Sequence, residues 1–203
     1  MVYNYLYTIH VKGLVTIRKI TKGPATALFP VPTVLVTSCL EGGEPNIITI
    51  AWTGIMNSEP PVVYISVRPV GRNSHKMITE SGEFVINIPS AGQARIVDYC
   101  GMVTGRDVNK FKQTGLTPLP ASHVKAPLIA ECPVNIECRV RQVLPFGSHD
   151  VFIADVLAVH YSEDVVDEKG RPDLDKIKPY GYCVNEYRLM SDKLGYYGYS
   201  KKE

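Results

Sequence analysis

Six short segments rich in β-branched and aromatic residues restrict this chain to a strand-built fold: TVLVTSCL (33–40), IITIAW (47–52), VVYISV (62–67), FVINI (84–88), VNIECRVRQVL (134–144) and VFIADVLAVHY (151–161). Gly42-Gly43-Glu44-Pro45-Asn46 reads as a turn between the first two, and Pro145 to Asp150 as a turn between the last two. Both pairs are therefore expected to be antiparallel hairpins. Helical signals are fewer. Ser74 to Glu80 closes at Ser81-Gly82, Ala91 to Val103 places Ile96, Val97, Cys100 and Val103 on one side, and Val108 to Gln113 reads as a further turn of helix. The balance predicts a β-rich α+β fold of six or more antiparallel strands that close into a barrel, because closure removes exposed edges, with helices flanking it.

Finer patterns give sharper expectations. In 134–141, Val134, Ile136, Cys138 and Val140 alternate with Asn135, Glu137, Arg139 and Arg141, which predicts one buried face and one wet face. VFIADVLAV is apolar on both phases apart from Asp155, so a cover on both sides is expected, a dimer partner being one candidate. Cys132 and Cys138 are expected on one strand and one face, about 20 Å apart, as core filling. LTPLPASHVKAPL reads as an ordered surface loop. From Asp164 the chain reads as charged loop, followed by a tyrosine-rich tail, Gly195 to Tyr199, that either covers a partner or ligand or hangs loose.

A net charge of +2 from 22 basic and 20 acidic residues leaves no electrostatic reason to expect nucleic acid or an acidic membrane as partner. The first twenty residues lack an export leader, and no apolar run approaches the roughly 20 residues of a spanning helix, so a cytoplasmic protein is expected. The five cysteines, at 39, 100, 132, 138 and 183, have neither zinc-site pairing nor disulfide-scaffold density, and a reducing compartment suits them. His10, His75, His123, His149 and His160 are scattered, so no metal site is expected.

Two stretches carry candidate chemistry. In Gly71-Arg72-Asn73-Ser74-His75-Lys76, Asn73 or Ser74 would cap a helix whose free N–H groups point outward, with Arg72, His75 and Lys76 clustered there. Such donors match a phosphate monoester, although on spacing alone an ordinary cap with solvated basic neighbours is the commoner outcome. In Thr49 to Thr53, small Ala51 beside Trp52 would form a slot for a flat ring, while a sole tryptophan is more often a core or interface anchor.

The blocks Asn46-x-x-Thr49-x-Ala51-Trp52, Pro60-Pro61, Arg72-Asn73-Ser74-His75 and Ser81 to Ile88 occur in that order. They are followed by Cys100-Gly101-x-x-Thr104-Gly105-Arg106-Asp107-x-x-Lys110-Phe111 and Gly147-Ser148-His149-x-Val151-Phe152-Ile153. Together they resemble the flavin reductase-like family over roughly 25 to 162. The resemblance implies a Greek-key FMN-binding split barrel, one domain over 1–203 with a C-terminal extension from about 163, and a homodimer with flavin near the subunit interface.

Carried onto this sequence, Thr49, Ile50, Ala51 and Trp52 would line the isoalloxazine edge, largely through backbone groups, and Ser66 and Val67 would lie beside the ring or ribityl chain. Arg72, Asn73, Ser74 and His75 would hold the phosphate, helped by Arg106 and Lys110. Alanine at 51 stands where members carry serine, which removes a side-chain hydrogen bond and keeps the backbone N–H. His149 would touch flavin or nicotinamide at the open face; as a turn residue it would instead bond its own loop. The implied function is an oxidoreductase moving reducing equivalents from NAD(P)H through bound FMN to free flavin, ferric iron or an electron-transfer protein. The alternatives are a non-enzymatic flavoredoxin-like carrier and a binding or structural barrel without redox role. No Rossmann glycine pattern is present to indicate the nicotinamide preference.

Overall fold

The computed structural model describes residues 6–11 and 15–201. β1 (Leu6–Val11) and β2 (Val15–Ile20) form a separate antiparallel hairpin. The short β3 (Val31–Pro32) precedes β4 (Val34–Ser38), β5 (Asn46–Ile50), β6 (Thr53–Ser58) and β7 (Pro61–Val67). Helix α1 (Asn73–Ser81) leads to β8 (Glu83–Ile88), and α2 (Ala94–Met102) and α3 (Lys110–Thr114) follow. The two-residue β9 (Pro118–Leu119) and β10 (Leu128–Ile129) precede the long hairpin of β11 (Val134–Pro145) and β12 (Asp150–Tyr161). Then come α4 (Leu174–Ile177), the hairpin of β13 (Tyr180–Cys183) and β14 (Glu186–Leu189), and a 3-10 turn at Tyr199–Lys201.

Seven strands make one sheet in the order β5-β4-β8-β11-β12-β7-β6, with every neighbour antiparallel. Its two outer strands, β5 and β6, are consecutive in the chain and separated only by Ala51 and Trp52. A sheet whose first and last strands are joined by two residues is curled until its edges meet, which makes a split barrel with its seam at that corner. Ile50 still pairs with Val34 on β4, whereas Thr53 already pairs with Ile65 on β7. The Trp52 carbonyl, accepting from Ser66 N at 2.8 Å, fixes the changeover. Inward-facing residues, among them Val36, Ile65, Phe84, Cys138 and Phe152, form the barrel core. A second core lies outside β4 and β5, where α2 and α3 contribute Val97, Cys100 and Phe111 against Leu35 and Ile47. This double cover explains why every residue of β4 is buried.

The expected hairpins and helices are present, with ends displaced by a few residues. Several details of the sequence reading are corrected. Asn135 and Glu137 are buried rather than wet, because the proline-rich segment lies across the outer face of β8 and β11 and buries Val124, Ala126 and Leu128 against Val85. That segment is an ordered outer layer: Val124, Ala126 and Leu128 face the sheet, while residues 117–120, Ser122, His123 and Lys125 stay exposed. Cys132 precedes β11 and packs with α2, on the opposite side of the sheet from Cys138 in the barrel. The cover over both sides of β12 holds at Phe152 to Ala154 and lapses at Val159 and Tyr161, which are exposed. The supposed charged loop after Asp164 contains β13, which pairs with β3 through Gly181 and Pro32 and brings the C-terminal hairpin against the barrel mouth.

Candidate functional site

A cleft of about 400 Å³ opens at the barrel seam. Thr49, Ile50, Ala51 and Trp52 form one wall because the chain leaves β5 there, and the Thr49 hydroxyl ties that wall to α2 by donating to Val97 O at 2.5 Å. Ser66 near the end of β7 and Arg68 just beyond it face the cleft, whereas Val67, on the opposite phase, is wholly buried in the barrel core. Val67 therefore lies behind the site rather than beside a ligand. On the other side of the corner, a groove of about 560 Å³ is lined by Ala25 to Leu28, Val31, Thr53, Tyr64 and Val151, none of them charged. Both spaces include Ala51, Trp52 and Ser66, so the seam is the partition between a charged cleft and an uncharged groove.

Trp52 is 41% exposed, and its ring lies against His149 with centroids 4.5 Å apart and planes tilted by 35°. His149 Nδ1 and Ser148 Oγ are 3.0 Å apart, so the histidine bonds its own turn and lines the cleft as well. Burial, reinforced by the Arg68 charge, holds the His149 pKa below the usual imidazole value, which keeps it neutral at physiological pH.

Arg72 joins this cleft to the start of α1. The cap position is Arg72 itself, and no side chain among the described residues caps α1. Asn73 and Ser74 do not serve as caps: Asn73 Nδ2 reaches Met77 Sδ at 3.5 Å, and Ser74 Oγ accepts from Asn46 Nδ2 at 2.8 Å. The first N–H groups of α1 thus keep their capacity for an anion. The space bounded by Asn46, Asn73, Ser74, Gly105 and Lys110 is about 10 Å³, room for a single water and too small for a phosphate. Gly105 makes this close approach: a Cβ there would stand 2.0 Å from Asn46 Oδ1.

Two further expected phosphate ligands lie elsewhere. His75 Nε2 pairs with Asp150 Oδ2 at 2.7 Å, and its ring stands edge-on to Phe152, because the next helical position is rotated about 100° away from Ser74. Arg106 sits on the Thr104–Asp107 turn and lines neither space. Lys110 is near the phosphate end but buried, donating to Ile47 O at 2.7 Å and Cys100 O at 2.6 Å.

Sequence reasoning did not single out Arg68, Asp98, Gly101, Met102, Tyr182, Asn185 and Tyr187, all of which line the cleft. The last three come from the β13–β14 hairpin, where Val184 and Asn185 both have positive φ (46° and 68°). That conformation matches the twist of a two-residue hairpin; Asn tolerates it and β-branched Val does not. Tyr187 donates to Asp98 Oδ1 at 3.0 Å and Tyr182 to Asn185 Oδ1 at 2.9 Å, which braces the hairpin over the cleft. The alternation of Tyr180, Tyr182 and Tyr187 around an Asn-containing turn was the available signal.

The donor set suits a long amphipathic anion. A flat slot beside Ala51 and Trp52 suits a ring, hydroxyls and an amide in the middle suit a polyol, and Arg68, Arg72 and a helix N-terminus suit a phosphate. The flavin reductase like domain matches residues 26–191 of this chain. The chain belongs to the flavin reductase like family. An uncharacterized protein of Pyrococcus abyssi is 37% identical over 147 residues, covering 72% of this chain and 83% of that one. Flavoredoxin of Desulfovibrio vulgaris (Miyazaki F) superposes with a TM-score of 0.84 at 33% identity, over 91% of this chain and all of the other. Flavoredoxin from Methanosarcina acetivorans gives 0.80 at 27% identity, over 90% and 97%. The matched span extends beyond β14, so in this flavin reductase like chain the cleft-lining hairpin lies inside the domain.

Proposed function

We propose that the seam cleft binds FMN and that the protein is an oxidoreductase carrying reducing equivalents from NAD(P)H to free flavin, ferric iron or an electron-transfer protein. One observation carries this reading: the Ala51-Trp52 corner and Arg72 open into the same cleft, so ring slot and phosphate end face a single ligand. Thr49 to Trp52 would border the ring through their backbone, Ser66 would bond the polyol, and Arg72 with the α1 N-terminus would hold the phosphate. A bound flavin would supply hydride and single-electron chemistry that side chains cannot. Neutral His149 would pack at the open face without placing a second charge there. The uncharged groove beyond Trp52 would admit the nicotinamide ring or an acceptor.

Purified protein that is yellow, or that takes up FMN with a shift in the flavin absorbance, supports the reading; colourless protein that ignores added FMN defeats it. The likeness to flavoredoxin, spanning that whole chain, favours a second reading, an electron carrier reduced by a protein partner. Rapid anaerobic mixing with NADH and NADPH separates the two, since a carrier would not be bleached by either.

We further propose a cytoplasmic homodimer, with Leu28 on the groove and Ile55 and Met56 on β6, all exposed, as its apolar contacts. No helix among the described residues is long and apolar enough to cross a membrane. Sedimentation of the purified chain tests the dimer.

A further inference from the structure

Lys110 is a cation placed where a cation is hardest to keep. It opens α3, a helix already capped by Asn109, whose side chain accepts from Lys112 N at 3.0 Å, so its ammonium is not needed to start that helix. Only 3% of it is exposed. Its two recorded acceptors are both groups that regular structure leaves without a partner. Ile47 O lies on the side of β5 that no strand pairs, and Cys100 O belongs to the last turn of α2, whose carbonyls have no intrahelical donor. The next carbonyl in that turn, Gly101 O, accepts from Arg72 Nη1 at 3.2 Å. Lys110 and Arg72 therefore cap consecutive carbonyls at the negative end of one helix, and Arg72, Gly101 and Met102 line the cleft.

Building on the FMN reading, we propose that Lys110 is a positioning residue for the phosphate end of the cleft: it clamps the C-terminus of α2 to the free edge of β5, which holds Gly101 O and, through it, the Arg72 guanidinium in place. Contact with the ligand is not required. The role differs from that of a phosphate ligand, because both recorded hydrogen bonds of Lys110 go to protein carbonyls.

The clamp is sensitive to pH. Burial pushes the Lys110 ammonium down to about 8; the Cys100 thiol beside it opposes this and the Arg72 charge adds to it. Neutral Lys110 would be a weaker donor and would no longer complement the helix end. Cys100, the titratable group facing it from α2, is pushed up to about 11 by burial, and Tyr187 in the cleft wall to about 12, so both stay protonated as Lys110 titrates. The phosphate of FMN is already a dianion above ~pH 7.

The test is competition of FMN and riboflavin for the full chain stripped of flavin, between ~pH 7 and ~pH 9.5, with riboflavin reporting the ring slot alone. For the wild type, the preference for FMN over riboflavin should fall about tenfold as pH rises through the Lys110 transition. Lys110→Met should show the reduced preference at every pH, with a flat profile. A structural filler would change both flavins alike and leave no transition. An FMN preference in Lys110→Met that matches the wild type, or that keeps its pH slope, overturns the role of Lys110 while leaving FMN binding intact. If that variant does not fold, a flat wild-type ratio is enough to overturn it. A wild type that takes up neither flavin removes the FMN reading and the clamp with it.

Discussion

Lys110 and Glu137 are both buried charges that tie a peripheral segment to the barrel, yet their surroundings treat them in opposite ways. Removal from water alone would raise the Glu137 pKa, but the carboxylate accepts from Ser122 N at 2.8 Å, His160 Nε2 at 2.6 Å and His123 N at 2.6 Å, and these hold it below the usual value. Lys110 meets two neutral carbonyls and a neighbouring guanidinium, and its charge is disfavoured. A charge whose hydrogen bonds are complete serves stability. A charge left partly uncompensated, as Lys110 is between two carbonyls and Arg72, is the kind of strain that clusters at functional sites.

The sharpest way to break this contrast is Glu137→Ala. It should cost about 3 kcal/mol by leaving the Ser122 and His123 N–H groups unpartnered, measured by urea or thermal unfolding. FMN affinity of the folded variant should be unchanged; a lost affinity would merge the two regions. The sign of the pH effect follows: because the folded pKa lies below the ordinary 4.5, this stabilisation is present above that value and is lost as pH falls through the folded pKa. The acid limb of the wild-type stability curve should therefore be shallower in Glu137→Ala.

Next in size, Gly105→Ala should cost about 2 kcal/mol in stability, because its methyl would overlap Asn46 and push it from Ser74. It should also weaken FMN, by disturbing the start of α1. Arg72→Ala should leave unfolding nearly unchanged and weaken FMN by about 1.5 to 2 kcal/mol, roughly 10- to 30-fold, in a fluorescence titration. Equal loss of riboflavin would refute its assignment to the phosphate. Smallest, Val184→Gly should raise stability by up to about 1 kcal/mol by relieving the positive φ, read as a higher Tm. A fall in Tm would mean that the exposed valine packs on something that matters more than its strain.

Local pattern specified the strand segments, their hairpin turns and the helix starts, because alternation and turn residues act over a few positions. Six residues that the family resemblance assigned to the site, Thr49, Ile50, Ala51, Trp52, Ser66 and Arg72, lie in the cleft wall together with His149. Val67, His75 and Arg106 came with the same family blocks; the period of strand or helix carries Val67 and His75 to other faces than Ser66 and Ser74, and Arg106 sits on a turn outside the cleft. β6, TGIMNS, escaped notice because it owes its pairing to β7 rather than to β-branched composition.

Composition and periodicity by themselves determined a strand-built chain with a basic helix start and an aromatic corner. Only the tertiary structure decided that β5 and β6 are the two edges of one curled sheet, that the 115–131 segment buries Glu137, and that a hairpin 130 residues downstream of the corner lines its cleft. These depend on which distant surfaces meet. Burial of a polar side chain is set by what lies over it, and no short window of sequence contains that neighbour.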